Sequence, residues 1–230
     1  MERLQGELDR LEREVAHLKH LATLGTLVAQ IAHESNNLLT PLVTHANATD
    51  DPEAALTRCR EAAAAASRLN ETVLGFGRRD ADDGSVEIAS CLKRVQGESA
   101  DHCDVDISVP AATFVPMTHD RLAMVFRNLF ANAGQAEATR VDVSGQVNST
   151  EVTLFIQDDG RGLPSGLRGD RVFEPFATGR RGGNGLGLAI CRELVTEAGG
   201  SIGVMKRAGT GTTFCIRLPR IDQPTTAAAA

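Results

Sequence analysis

The sequence predicts a chain of α plus α/β class, with a helical N-terminal part and a C-terminal domain of alternating strands and helices. Three observations carry this expectation. Apolar residues near the N-terminus recur at steps of four and three, the spacing of a helical seam. The polar run DADDGS (80–85) then breaks the helical pattern. Beyond it, β-branched runs with period two alternate with stretches of helical period. At 230 residues, 42% hydrophobic and 23% charged, the chain has the apolar matter for folded cores.

The first element is a coiled coil over 1–22. Leu4, Leu8, Leu11, Val15, Leu18 and Ala22 form a heptad seam with charged flanks, and such a seam buries nothing without a second copy. A homodimer follows. Residues 23–79 continue as helix. At 100° per residue, Leu24, Leu27, Val28, Ile31, Leu38 and Leu42 share one face with Leu39 at its edge, and His33, Asn37, Thr40 and Thr44 lie opposite. Pro41 removes one backbone donor and should kink this helix. Asp51 is a plausible N-cap, with Pro52 at the first position of a second, alanine-rich helix over about 53–79. Two antiparallel helices from each of two chains make a four-helix bundle.

After the 80–85 linker, the strands are expected at 105–109, 140–147, 151–157, 201–206 and 212–218, and the helices at 88–99, 118–136 and 185–198. This places an α/β domain at 86–219, followed by a disordered tail over 220–230.

Composition excludes several functions. No apolar run approaches the roughly 18 residues of a membrane helix, and the charged start MERLQGELDRLERE is unlike a signal peptide, so a cytoplasmic chain without direct membrane contact is expected. A net charge of −6, 3% aromatics and no Trp or Tyr argue against nucleic acid as partner. The five cysteines form neither a CxxC pair nor a metal-ligand spacing with histidine, as expected of reduced thiols.

Four short segments of the second domain carry chemistry. RNLFANAGQA (127–136) sets Asn128 and Asn132 on one helix face, and amide oxygens suit a hard cation that also touches phosphates. By itself an NxxxN pair is more often two surface asparagines. QDDGRGLP (157–164) puts Asp158 at a strand end ahead of Gly160 and Gly162. A carboxylate there can accept from the exocyclic amine of adenine, where guanine presents a carbonyl. GRRGGNGLGLAI (179–190) is glycine-dense and opens into a helix, an arrangement whose N–H groups favour polyphosphate, with Arg180 and Arg181 supplying charge. It fits neither the dinucleotide fingerprint nor a Walker loop. AGTGTTF (208–214) is a turn between strands.

Together and in this order the segments resemble the ATP-binding domain of two-component sensor histidine kinases, part of the wider group with gyrase, Hsp90 and MutL. FRNLFANAGQA looks like the asparagine box, DDGRGLP the first glycine box, VFEPFATG (172–179) the phenylalanine box, GGNGLGLAI the second glycine box and GTGTTF the closing glycine motif. The resemblance covers 86–219 and implies an α/β sandwich, a mixed sheet covered by helices on one face. It implies ATP and Mg²⁺, with Asn132 as metal ligand assisted by Asn128 and Asp158 reading the adenine amine. Gly160, Gly162, Gly183, Gly185, Leu186 and Gly187 would let backbone close on the nucleotide, with Arg180 at its phosphates. Phe173 and Phe176 would anchor a lid over about 177–184, or simply pack in the core. The ATPase relatives have a water-activating glutamate at the first asparagine-box position; Asn128 stands there in this chain, which favours a kinase.

AHESNNLLTPL (32–42) is similar to the phosphoacceptor box of the same family, which makes His33 the nucleophile, and its place opposite the apolar face agrees. An unperturbed imidazole is largely neutral at cellular pH. Glu34 is placed to accept the other ring proton. Asn37, one turn on, stands where an amide often supports dephosphorylation of the partner. Leu38 departs from the family, many of whose members have proline there. The resemblance thus implies an ATP-dependent histidine kinase that autophosphorylates His33, in its own chain or across the dimer. It would pass the phosphoryl group to an aspartate of a response-regulator receiver domain docked near Thr40 and Thr44. The alternatives are a phosphatase-biased member and a non-catalytic phosphotransfer or docking scaffold.

Overall fold

The chain divides into two units, Met1–Glu71 and Thr72–Ala230. The computed structural model describes residues 53, 56, 57, 60, 84–99, 103–164, 167, 169–175, 177–178, 185–205 and 210–222. Of the first unit it describes four helical residues, with the Thr57 hydroxyl donating to the Glu53 carbonyl at 3.0 Å. The expected coiled coil, helical hairpin and bundle therefore lie outside the described residues.

In the second unit the described elements run β1 (Val86–Glu87), α1 (Ile88–Ser99), β2 (Asp104–Ser108), β3 (Phe114–Val115), α2 (His119–Gln135), β4 (Arg140–Val147), β5 (Glu151–Asp158), a 3-10 turn (Gly169–Phe173), α3 (Gly187–Glu197), β6 (Ser201–Met205) and β7 (Thr213–Pro219). Five strands form a mixed sheet in the order β2-β4-β5-β7-β6, and β1 pairs with β3 in a small separate ribbon. Only β2 and β4 run parallel in the large sheet, because α2 carries the chain back across it; β4, β5, β7 and β6 pair antiparallel.

Period-two alternation in the sequence becomes one apolar sheet face. Register aligns Val105 with Val141, Val143 with Ile156, Leu154 with Ile216 and Ile216 with Ile202. β5 alternates along its whole length, with Val152, Leu154, Ile156 and Asp158 buried. The opposite face shows Asp106, Ser144, Arg217 and Ser201 to solvent. Antiparallel sheets with one solvated face read this way.

The helices supply the facing layer, α1 with Ile88, Cys91, Leu92 and Val95, α2 with Leu122, Phe126 and Leu129, and α3 with Ile190, Leu194 and Val195, all at most 2% exposed. The result is an α/β sandwich. The described cysteines are free, and burial pushes the Cys91 and Cys191 thiols up to about 12. Among the described residues no helix is long and apolar enough to cross a membrane.

Gly97 lies exposed in α1, with nothing within 4 Å of where a Cβ would stand. Gly97→Ala is expected to stabilise the domain by about 0.5–1 kcal/mol through helix propensity alone, read as a rise in Tm of about 2–4 °C.

Candidate functional site

β5 delivers Asp158 to the end of the apolar sheet face, where its burial leaves 5% exposure. Its Oδ1 accepts from the Gly160 N–H at 3.0 Å and the Thr212 N–H at 3.1 Å. The Thr212 hydroxyl also bonds this carboxylate, and the Asp158 N–H donates to the Thr212 carbonyl at 2.9 Å. Desolvation holds the carboxyl above the usual range, opposed by the bonds from Gly160 and Thr212. A buried carboxylate without a cation among its bonding partners is poised to accept from a neutral donor.

The turn after Asp158 rests on the end of α2. A Cβ on Gly160 would lie 2.7 Å from the Ala136 carbonyl oxygen, so this approach needs glycine, and the Arg161 N–H donates to that same carbonyl at 2.9 Å. Gly162, with φ +76, lies over the Gly211 carbonyl, so two loops distant in sequence meet here.

One turn before Ala136, α2 carries Asn132, whose side-chain nitrogen is buried without a hydrogen-bond partner. An unmatched buried amide is costly unless a ligand meets it, and its O and N positions can exchange by a flip. Asn128, one turn earlier, bonds the Cys191 thiol of α3, and its Oδ1 lies 2.9 Å from the point where a Cβ on Gly187 would stand. α3 starts at Gly187 and no side chain caps it, so its first turn presents N–H groups in the manner of an anion site. Leu186, just before, is buried, and Gly185 has φ +63.

The residues fit a nucleotide with a hard cation, with a carboxylate for a base amine, an unpartnered amide one helical turn before the Ala136 contact and a helix start without a side-chain cap. Phe173 sits in the core at 2% exposure, edge-on to Phe214 at 6.4 Å and beneath the Arg192 guanidinium at 4.6 Å. Of the residues the sequence singled out, Asp158, Gly160 and Gly162 come together at one turn, and Asn128 and Gly187 at the α2–α3 contact. His33, Glu34, Asn37, Phe176, Arg180 and Gly183 lie outside the described residues.

Two further residues belong to this neighbourhood. Thr212 was visible only as part of a glycine-rich turn; it reaches Asp158 because β5 and β7 pair, 54 positions apart in sequence. Asp159, the second acid of the pair, accepts from Thr139 and Arg140.

Residues 117–222 match the family of Histidine kinase-, DNA gyrase B-, and HSP90-like ATPases. The sensor protein SrrB of Staphylococcus aureus (strain MRSA252) is 29% identical over 234 residues, covering 94% of this chain and 39% of SrrB. The signal transduction histidine-protein kinase AtoS of Escherichia coli (strain K12) is 30% identical over 227 residues, 90% of this chain and 37% of AtoS. The chain thus spans under two fifths of the length of these curated relatives. Among solved structures, the mycobacterial sensor histidine kinase MprB is 28% identical with a TM-score of 0.52, over 62% of this chain and 100% of that one. The histidine kinase ThkA, solved in complex with the response regulator protein TrrA, shares the fold. Its TM-score is 0.70 at 22% identity, over 94% of this chain and 67% of that one.

Proposed function

We propose that this chain, which is similar to sensor histidine kinases along 90% of its length and matches the Histidine kinase-, DNA gyrase B-, and HSP90-like ATPases over residues 117–222, is an ATP-dependent protein-histidine kinase that autophosphorylates His33. The phosphoryl group then passes to an aspartate of a response-regulator receiver domain, with the chain working as a homodimer. The observation that carries the reading is the buried Asp158 carboxylate, held by Gly160 and Thr212 beside the helix that bears Asn132.

In this reading Asp158 takes the adenine amine, the first turn of α3 faces the phosphates, and Asn132, assisted by Asn128, holds Mg²⁺. The metal, when bound, offsets charge on the phosphate oxygens. A neutral His33 ring nitrogen forms a bond to the γ-phosphorus as the bond to the bridging oxygen breaks and ADP leaves. Glu34 accepts a hydrogen bond from the other ring nitrogen. Positioning does most of the catalytic work. Phe173 anchors the segment that precedes the nucleotide loop, with Phe176, Arg180, Gly183 and Gly185 beyond it. Asn37 orients water for the reverse, dephosphorylating direction.

The test runs both directions with a cognate receiver domain. Phosphorylated protein is expected to lose its label to the receiver within minutes. Removal of phosphate from a prephosphorylated receiver, with no forward transfer, would establish the phosphatase-biased reading instead. Failure to bind any adenine nucleotide would leave only the scaffold.

A further inference from the structure

The two acids of the DDG turn have opposite surroundings. Asp158 is buried with its carboxyl held above the usual range, whereas the exposed Asp159 is held below it by its bonds to Thr139 and Arg140. The Asp159 Oδ1 accepts from the Thr139 N–H at 2.8 Å and the Arg140 N–H at 3.0 Å, and Oδ2 accepts from the Thr139 hydroxyl at 2.6 Å. Its own N–H donates to the Arg140 carbonyl at 3.3 Å. One residue thus ties the turn after β5 to the connection between α2 and β4.

That connection has a consequence for the site. The connection begins at Ala136, against which Gly160 packs and whose carbonyl takes the Arg161 N–H. The Ala136 N–H in turn closes on the Asn132 carbonyl at 3.0 Å. The contacts therefore run from the base-reading carboxylate through Gly160 and Ala136 to the amide at the phosphate end, and the Asp159 clip holds the far end of the same connection at Thr139 and Arg140. We propose that Asp159 is a positioning residue that fixes the spacing between the base-binding and the metal–phosphate-binding parts of the nucleotide site. The inference rests on the nucleotide reading given above.

A spacing role has a signature that simple support of the pocket lacks. Adenosine engages only the base end, whereas ATP with Mg²⁺ needs both ends at a fixed separation, and small misplacements are costly for two-point binding. Because Asp159, Thr139 and Arg140 are exposed, their bonds add little to global stability, so the clip is expected to act on geometry more than on folding. An asparagine at 159 can keep both N–H bonds through its Oδ1 and meet the Thr139 hydroxyl with its amide, since a hydroxyl both donates and accepts.

The experiment measures adenosine and MgATP binding by calorimetry or displacement for the wild type, Asp159→Ala and Asp159→Asn. The expected result is that Asp159→Ala weakens MgATP about tenfold or more and adenosine less than about threefold, with Asp159→Asn restoring the wild-type ratio. Equal weakening of both ligands, or no change in either, would overturn the proposal. If Asp159→Ala fails to fold, Thr139→Val, which removes only the hydroxyl bond, is measured the same way. Its expected result is again a selective loss for MgATP, and equal effects on both ligands overturn the proposal. A folded wild type that binds neither ligand defeats the nucleotide reading itself and the proposal with it, an outcome distinct from a change confined to the variants.

Discussion

Asp158→Asn is expected to lower ATP affinity by on the order of 100-fold while the domain stays folded. Asparagine keeps the Oδ1 that accepts from Gly160 and Thr212, but its amide then meets the adenine amine donor to donor. A site that leaves a buried polar group unpaired discriminates strongly, by roughly 10⁴–10⁵ in the best cases, and one bond to a charged group contributes about 1.5–3 kcal/mol. Stability should move the other way. Burial raises the carboxyl above its usual range, so the stabilising contribution of this group is fully present below the normal aspartate pKa. It is lost as pH rises through the raised folded value. At neutral pH the ionised group is therefore a cost to the unliganded fold that asparagine removes. Urea unfolding at pH 7 should show the variant at least as stable as the wild type, and the wild type should gain on it toward pH 4. A variant that binds ATP normally, or one that simply unfolds, contradicts this account of Asp158.

The second large effect is expected at Gly211. Its φ is +90, and an added Cβ would stand 2.0 Å from the Asp158 carbonyl oxygen. The contacting atom is backbone in the middle of the site, so no side-chain rotation relieves the clash. Gly211→Ala is expected to cost about 3 kcal/mol or more, from left-handed backbone strain plus overpacking. A lower urea midpoint with an unchanged slope would be the reading. Any folded fraction should bind ATP poorly, because relieving the clash moves Thr212, next to Gly211, away from Asp158 at the end of β5. A shift below about 1 kcal/mol would mean that the close approach is not a constraint in solution.

Much of the second domain was legible in the sequence because its signals are local. The alternation in RVDVSGQV and EVTLFIQ gave β4 and β5 nearly to the residue, and the helical periods gave α1, α2 and α3 within two residues at each end. The pair β1 and β3 was not legible, since two residues each show no period and their pairing of Val86 with Val115 is long-range. The same limit applies to the site. Asp158, Gly160 and Gly162 sit within one motif, but Thr212 reaches them only through the pairing of β5 with β7. The clip by Asp159 depends on the α2–β4 connection folding back to Thr139, which no spacing encodes. Phe173 illustrates the converse. Its motif raised both a lid anchor and core packing, and its contacts with Phe214 and Arg192 are those of a buried side chain.

The central claim, ATP-dependent phosphorylation of His33, is tested most directly by incubating the protein with γ-labelled ATP and Mg²⁺ beside a His33→Gln variant. The account predicts acid-labile, base-stable label on the wild type and none on the variant, although both bind ATP alike. Label that persists in His33→Gln, or none on a wild type shown to bind ATP, would contradict it.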